Sequence, residues 1–112
     1  MKTKMQSKEL PMIFEIAQIE IRPGAEREFE AAVADAAPLF EASSGCHSLK
    51  LMRSIEHPLR YRLVVGWETI EAHMVDFRQS PAFERWRALV GPYFAAPPAV
   101  EHVEDAYTGF GA

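Results

Sequence analysis

The stretch RYRLVVGWE, residues 60–68, is the strongest β-strand pattern in the chain. β-Branched and aromatic residues dominate it, and successive side chains of a strand point to opposite faces. One face carries Tyr61, Leu63, Val65 and Trp67, and the other carries Arg62, Val64, Gly66 and Glu68. This alternation predicts a strand with one face in the core. A turn at residues 56–58 joins it to a preceding strand over residues 47–55, as an antiparallel hairpin.

The elements on either side of this hairpin follow from changes in periodicity. Residues 12–21 carry apolar side chains on both faces, which predicts a strand covered on both sides. From Ala25 to Phe40 apolar residues recur every three to four positions, as in an amphipathic helix. Thr69 is placed to cap a short helix over residues 70–78, and Ser80 a second one that begins with Pro81. Residues 99–107 predict a last strand.

The order β-α-β-β-α-α-β predicts a ferredoxin-like α+β domain, with one antiparallel sheet and its helices on one face. Phe14, Ile16 and Val64 then lie on the uncovered face. An apolar sheet face on a small domain predicts a partner, so we expect a homodimer packed sheet to sheet. We expect a flexible tail at residues 1–11, the domain at 12–107 and a C-terminal tail at 108–112.

Composition narrows the class of protein. The 112 residues correspond to one domain, and the net charge of −4 gives no electrostatic basis for binding nucleic acid or anionic membranes. The single cysteine, Cys46, excludes an intrachain disulfide and suggests a reducing compartment. The sequence shows neither a signal-peptide pattern nor a transmembrane run, so we expect a cytoplasmic protein.

The sequence lacks the strong catalytic motifs. It has no nucleotide-binding glycine loop, no GxSxG, no HExxH and no paired-cysteine motif. The four histidines lie on different predicted elements, without the spacing of a zinc site. We therefore expect neither a metal nor another cofactor.

Three groups of residues remain as candidates for a site. Trp67 is either a core tryptophan or the wall of an aromatic-ligand pocket between sheet and helices. His73 shares a helix face with Phe77, next to Arg78, and is either a surface or interface histidine or a base that works near neutral pH. His102 is either an ordinary polar strand residue or a side chain that turns into the cavity of Trp67.

Two longer segments resemble the antibiotic biosynthesis monooxygenase family. They are WETIEAH at residues 67–73 and FRQSPAFERWR at residues 77–87, and the resemblance continues through PYF at 92–94 and PAVEH at 98–102. It covers about residues 12 to 107. The resemblance implies a homodimer in which two ferredoxin-like sheets form a dimeric α+β barrel.

The resemblance also implies a range of activities. Some members are cofactor-independent monooxygenases that oxidise polycyclic phenols to quinones, and others degrade haem. The haem-degrading members carry an asparagine on the first strand, a tryptophan on the third and a histidine on the next helix. In this chain Ala17 and Phe77 occupy the asparagine and histidine positions, and Trp67 alone matches. The pattern therefore counts against haem degradation.

The leading hypothesis is a cofactor-free oxygenase for a polycyclic phenol or hydroquinone-like molecule. Such an enzyme needs an apolar pocket, a base and a group that stabilises the substrate anion. We predict His73 or His102 as the base and Arg87 as the anion partner, although Arg87 and Arg78 are also candidates for structural ion pairs. The predicted ligand-binding residues are Trp67, Phe77, Arg78 and Trp86. The alternatives are a non-catalytic dimeric module that binds a small hydrophobic metabolite and, less favoured, a haem-binding relative.

Overall fold

The computed structural model describes residues 12–111, and it confirms the ferredoxin-like α+β fold. The predicted tail at residues 1–11 lies outside the described residues. The strands are β1 (Ile13–Glu20), β2 (Cys46–Arg53), β3 (Arg60–Trp67) and β4 (Ala99–Val103). The helices are α1 (Glu26–Glu41), a π-helix (Ala72–Phe77), α2 (Pro81–Val90) and a 3₁₀ turn (Gly91–Tyr93).

The four strands form one antiparallel sheet in the order β2-β3-β1-β4. Ala17 of β1 pairs with Leu63 of β3 on one side and with Val100 of β4 on the other. β4 ends at Val103, four residues before the predicted end at Tyr107. Its pairing ends there because Val103 lies opposite Phe14, next to the first residue of β1.

The core lies between the sheet and the helices. The alternate side chains of β3 that the sequence placed in the core are all buried, and Trp67 has no exposed surface. Phe29 and Phe40 of α1 pack on this face, with ring centroids 4.9 Å from Tyr61 and 6.4 Å from Trp67. Burial of large aromatic and aliphatic side chains is the main stabilising contribution in a domain of this size.

Both predicted helix caps after β3 are present. Thr69 Oγ1 accepts a hydrogen bond from the backbone N–H of Ala72 at 3.0 Å, and Ser80 Oγ accepts one from Phe83 at 3.3 Å. Between these caps the chain forms a π-helix, in which the N–H of Arg78 donates to the carbonyl of His73, five residues earlier, at 3.1 Å. π-Helical turns are rare and occur often at functional sites.

The sheet face opposite the helices carries the predicted apolar side chains, with polar ones beside them. Phe14, Ile16 and Val64 are half-buried there, and Met52 and Val103 are 52% and 40% exposed. That a second copy covers this face stays a prediction. Between residues 12 and 111, no helix combines the length and the apolar character that crossing a bilayer requires.

Candidate active site

A cavity of about 440 Å³ opens between the sheet and the helices. Its sheet side is apolar and is formed by Ala17, Ile19 and Leu63, and α2 contributes the rings of Phe83 and Trp86. Four charged or titratable side chains also line it: Glu15, His73, Arg78 and Arg87. A concave, largely apolar site with a few polar groups is the usual form of a small-molecule site.

The carboxylate of Glu15 lies at the inner end of this cavity and is only 6% exposed. Its Oε1 accepts a hydrogen bond from the indole N–H of Trp67 at 3.0 Å and lies 3.3 Å from Nε2 of His73. Burial raises the pKa of Glu15 to about 7, although the Trp67 hydrogen bond and the positive charge of Arg78 act in the opposite direction. This carboxyl group therefore titrates near neutral pH.

The imidazole of His73 has a contact partner at each ring nitrogen and a stacking partner on one face of the ring. Its ring stacks on Trp67, with centroids 5.2 Å apart and planes 18° from parallel. Nδ1 of His73 lies 2.9 Å from Nε2 of His102, while Nε2 faces Glu15. Burial, with smaller contributions from the neighbouring His102 and Arg78, lowers the pKa of His73 to about 4. At neutral pH the imidazole is therefore uncharged.

Strand register and the π-helix bring these side chains together. Glu15 of β1 lies directly opposite His102 of β4, and Trp67 leaves the adjacent strand on the same face. The π-helix crosses the end of β3 and buries both His73 and Phe77 against that face. Residues 87 positions apart in the chain, Glu15 and His102, thus reach the same ring of His73.

Two arginines lie at the outer end of the cavity. Arg78 and Arg87 flank the ring of Phe83, with guanidinium carbons 5.2 Å and 5.8 Å from its centroid. Neither guanidinium lies within 4.0 Å of a carboxylate in the described part of the chain. Their predicted alternative role as structural ion-pair residues is therefore not seen within residues 12–111.

The structure separates the residues predicted for the site into two groups. His73, Arg78, Trp86 and Arg87 line the cavity, and His102 lies behind His73. Trp67 and Phe77 do not line it: Trp67 is fully buried and Phe77 is 3% exposed, and the two rings pack against each other at 5.4 Å. Trp67 is thus a core residue that reaches the site only through its N–H, because the π-helix covers its ring.

Glu15 is the cavity-lining side chain that the sequence did not lead us to expect. Its signal was present in the alternation of β1, where a carboxylate takes its place among Ile13, Ala17 and Ile19 on the helix-covered face. An acidic residue is rarely found in such a position unless it is paired.

Within residues 12–111, no group of three or more histidine, cysteine, aspartate or glutamate side chains converges as metal ligands would. Glu15, His73 and His102 follow one another in a row, and both nitrogens of the central ring already have partners. This arrangement suits the transfer of a proton better than the coordination of an ion.

Comparison with known proteins shows the family to which this chain belongs. The model of the antibiotic biosynthesis monooxygenase family matches residues 12–89, so the chain belongs to that family. It is 37% identical over 94 residues to the uncharacterised protein YczJ of Bacillus subtilis (strain 168), covering 84% of this chain and 99% of YczJ.

Solved structures agree with this assignment. A protein from Bordetella bronchiseptica, provisionally named an antibiotic biosynthesis monooxygenase, is 57% identical with a TM-score of 0.86, over 87% of this chain and 99% of that chain. A variant of SnoaB, a cofactor-independent oxygenase from Streptomyces nogalater, has a TM-score of 0.75 over 88% of this chain and 97% of that chain. Its identity is 17%, so the likeness to SnoaB concerns the fold alone.

Proposed function

We propose that the protein is a cofactor-independent monooxygenase that oxidises a polycyclic phenol or hydroquinone-like molecule with O₂ inside this cavity. The observation that carries the proposal is the Glu15 carboxyl group, which is buried, titrates near neutral pH and opens onto an apolar cavity. A base whose pKa lies near the working pH is the most effective proton acceptor. Glu15 therefore takes the role of base that the sequence suggested for His73 or His102.

The chemistry needs only the substrate, O₂ and a group that moves protons. For an activated ring CH₂ group, Glu15 removes one proton, and the resulting carbanion, in its enolate form, transfers one electron to O₂. The substrate radical and superoxide combine to a peroxide, which is protonated. Loss of the second C–H proton and cleavage of the O–O bond then give the ring carbonyl and one molecule of water. The overall change is CH₂ + O₂ → C=O + H₂O.

The remaining side chains of the cavity bind and stabilise the substrate. The rings of Trp86 and Phe83 and the aliphatic side of the sheet provide contact area for a flat aromatic molecule. Arg87 and Arg78 lie where negative charge on a phenolate or enolate oxygen would be stabilised. This is the role proposed from the sequence for Arg87, now shared with Arg78.

The proposal includes the assembly and location expected from the sequence. A homodimer packed through the uncovered sheet faces leaves the cavity of each protomer on the opposite, helical side of its own sheet. We place this dimer in the cytoplasm, because the chain needs no disulfide and uses its single cysteine as a free thiol.

The test is oxygen uptake with anthrone and with hydroquinones, measured without any added cofactor. Glu15→Gln keeps an acceptor for the Trp67 N–H but cannot take a proton, and we expect it to lower turnover about 100- to 10,000-fold. Glu104→Gln, at an exposed carboxylate, is the matched control and should retain wild-type turnover. Undiminished turnover in Glu15→Gln would contradict the proposed base.

The same experiment separates the enzyme from the non-catalytic module. Calorimetry with a hydroxyanthraquinone measures binding independently of turnover. Tight binding together with no oxygen uptake from any tested phenol would favour a ligand-binding module that uses the same cavity.

A further inference from the structure

A second hollow, of about 630 Å³, adjoins the cavity of the candidate active site. Arg87, Phe94 and Pro98 line both spaces, so these three residues form the boundary between them. Both volumes lie in the range of ~300–1,000 Å³ that is usual for small-molecule sites. We propose that the second hollow is a subsite for a neutral, hydroxyl-bearing substituent of the substrate, such as a sugar. The proposal rests on the proposed function only for the ring system, a polycyclic phenol, that occupies the first cavity.

Backbone hydrogen bonds to the end of β1 and the turn after it hold this boundary in place. The N–H of Ala95 donates to the carbonyl of Glu20 at 2.7 Å, and the N–H of Arg22 donates to the carbonyl of Tyr93 at 2.9 Å. Nε of Arg22 also donates to the carbonyl of Phe94 at 3.2 Å. The main chain at Phe94 is therefore fixed from both sides. Both spaces are formed before a ligand binds, which lowers the entropic cost of binding.

The polar side chains of the second hollow carry opposite charges. Glu84 and Arg87 lie one turn apart on α2, yet no carboxylate within residues 12–111 lies within 4.0 Å of the Arg87 guanidinium. That guanidinium lies over the ring of Phe83, 5.8 Å from its centroid. A carboxylate only accepts hydrogen bonds and a guanidinium only donates them, whereas a hydroxyl group does both. Hydroxyl groups can therefore pair with both side chains, while a charged substituent of either sign is repelled by one of them.

The rest of the lining is apolar and suits the other surface of a sugar. Ala88 of α2 contributes a methyl group, and Pro97 and Pro98 contribute their rings. The ring of Phe94 is half-buried at the boundary. An aromatic ring has a negative face, which attracts the C–H groups of a sugar ring. The second hollow thus offers apolar contact together with one hydrogen-bond acceptor and one set of donors.

Gly91 allows the second hollow to be filled without straining the backbone. Its φ of −53° and ψ of −39° are ordinary helical values, and a Cβ at this position would meet nothing within 4 Å. Gly91 lines the hollow, so Gly91→Phe places a ring in the space that the substituent would occupy. Ala31→Phe adds the same ring at an exposed position of α1, outside both spaces, and is the matched control.

The experiment compares the affinities of alizarin, a dihydroxyanthraquinone, and alizarin glucoside by calorimetry. Because the sugar is joined to a ring that is already bound, we expect the glucoside to bind the wild type about tenfold more tightly. Gly91→Phe should abolish this preference, and Ala31→Phe should keep it. The ratio of the two affinities is the readout, since a loosened fold would weaken both ligands alike. Urea unfolding confirms that each variant is folded.

Alizarin glucuronide tests whether the substituent is neutral. Its added carboxylate faces Glu84 as well as Arg87, so it should bind the wild type no more tightly than the glucoside. Glu84→Gln removes the repulsion and should favour the glucuronide over the glucoside by about two- to fivefold, as expected for exposed charges. A glucuronide that binds the wild type more tightly than the glucoside would overturn the assignment of a neutral substituent.

Two further results would overturn the subsite. One is a glucoside that binds the wild type no more tightly than alizarin, and the other is a preference for the glucoside that survives in Gly91→Phe. Calorimetry needs no turnover, so these outcomes are independent of oxygen uptake. A preference for the glucoside in a protein that oxidises no phenol would contradict the monooxygenase and support the subsite, whereas oxygen uptake without that preference would do the opposite.

Discussion

Glu15 and His73 are in contact, yet burial shifts their pKa values in opposite directions, the carboxyl upward and the imidazole downward. In both cases the uncharged form is favoured, because an apolar surrounding penalises charge of either sign. The pair is therefore neutral over part of the pH range in which both groups are charged in an unfolded chain. This difference links the stability of the fold to pH.

The signs of the two contributions differ. Glu15 titrates at about 7 in the folded protein and at 4.5 when unfolded, so the folded state binds the extra proton and stability falls as pH rises from 4.5 to 7. His73 titrates at about 4 when folded and at 6.5 when unfolded, so stability rises with pH over that interval. Each slope reaches at most about 1.4 kcal/mol per pH unit, and the two oppose each other where they overlap.

The two contributions partly cancel in the wild type. We therefore predict that single substitutions reveal a stronger dependence of the free energy of unfolding on pH. In Glu15→Gln the free energy of unfolding should rise from pH 4 to 6.5, and in His73→Gln it should fall from pH 4.5 to 7. Urea unfolding at a series of pH values measures both, with Glu104→Gln as the control that should parallel the wild type. Parallel profiles in all four proteins would show that burial does not shift these two groups.

Part of this site was predictable from single residues and part was not. Period-two alternation placed Trp67 on the helix-covered face, where the structure finds it, but it left open which side His102 would face. Alternation could not show that the carboxylate of Glu15 satisfies the indole N–H, because that contact joins residues 52 positions apart. Nor could it show that the π-helix covers the ring of Trp67, so a strand end that suggested a cavity wall is in fact core.

At the scale of elements, two glycines with positive φ occupy the turns next to α1. Gly24 precedes the helix with φ +86°, and Gly45 follows it with φ +82°. A Cβ at Gly24 would contact nothing within 4 Å, whereas a Cβ at Gly45 would lie 2.9 Å from that of Ala72, which begins the π-helix. The turn before β2 and the segment that positions His73 therefore touch at Gly45.

We predict that Gly45→Ala is more destabilising than Gly24→Ala. Both substitutions place a side chain in the left-handed region, at a cost of about 1–2 kcal/mol. Gly45→Ala adds a steric clash of the kind that costs a further ~1–3 kcal/mol and displaces the π-helix. Thermal or urea unfolding of the two variants makes the comparison, and equal losses of stability would contradict the close contact with Ala72.

Element boundaries were predictable where a side chain or a break marks them. Thr69 and Ser80 correctly marked where the two helical segments begin, because an N-terminal cap is a local hydrogen bond. Pro81 correctly marked the first residue of the second helix. The five-residue hydrogen-bond spacing between those caps was not predictable, since it arises from packing His73 and Phe77 on the same sheet face. The length of β4 depends on where its partner β1 begins. Because β1 lies at the opposite end of the chain, the local pattern of residues 99–107 could not predict where β4 ends.

At the scale of the whole molecule, the uncovered sheet face is the surface on which a partner would pack. It carries Phe14, Ile16 and Val64 in the middle and the exposed side chains of Met52 and Val103 nearby. Periodicity predicted this face correctly, because it needs only the alternation of β1 and β3 and a count of the helices. What packs against it depends on a second molecule and is not encoded in the pattern of one chain.

We predict that the wild-type protein sediments as a dimer at micromolar concentration and that Val64→Asp shifts it to monomer. An unpaired carboxylate buried at such an interface costs several kcal/mol, about 3–5 where a charge loses its partner. Val75→Asp makes the same change at a 45% exposed valine of the π-helix and should remain dimeric. A wild-type monomer at these concentrations would refute the sheet-to-sheet dimer.

The stacking of His73 on Trp67 gives the molecule an internal optical reporter. A protonated imidazole in contact with an excited indole accepts an electron and quenches its fluorescence, and a neutral imidazole does so far less. Emission from Trp67 should therefore drop as the solution approaches pH 4, where the His73 ring gains its second proton. A change of emission near pH 7 would instead report the ionisation of Glu15, whose carboxylate accepts the indole N–H.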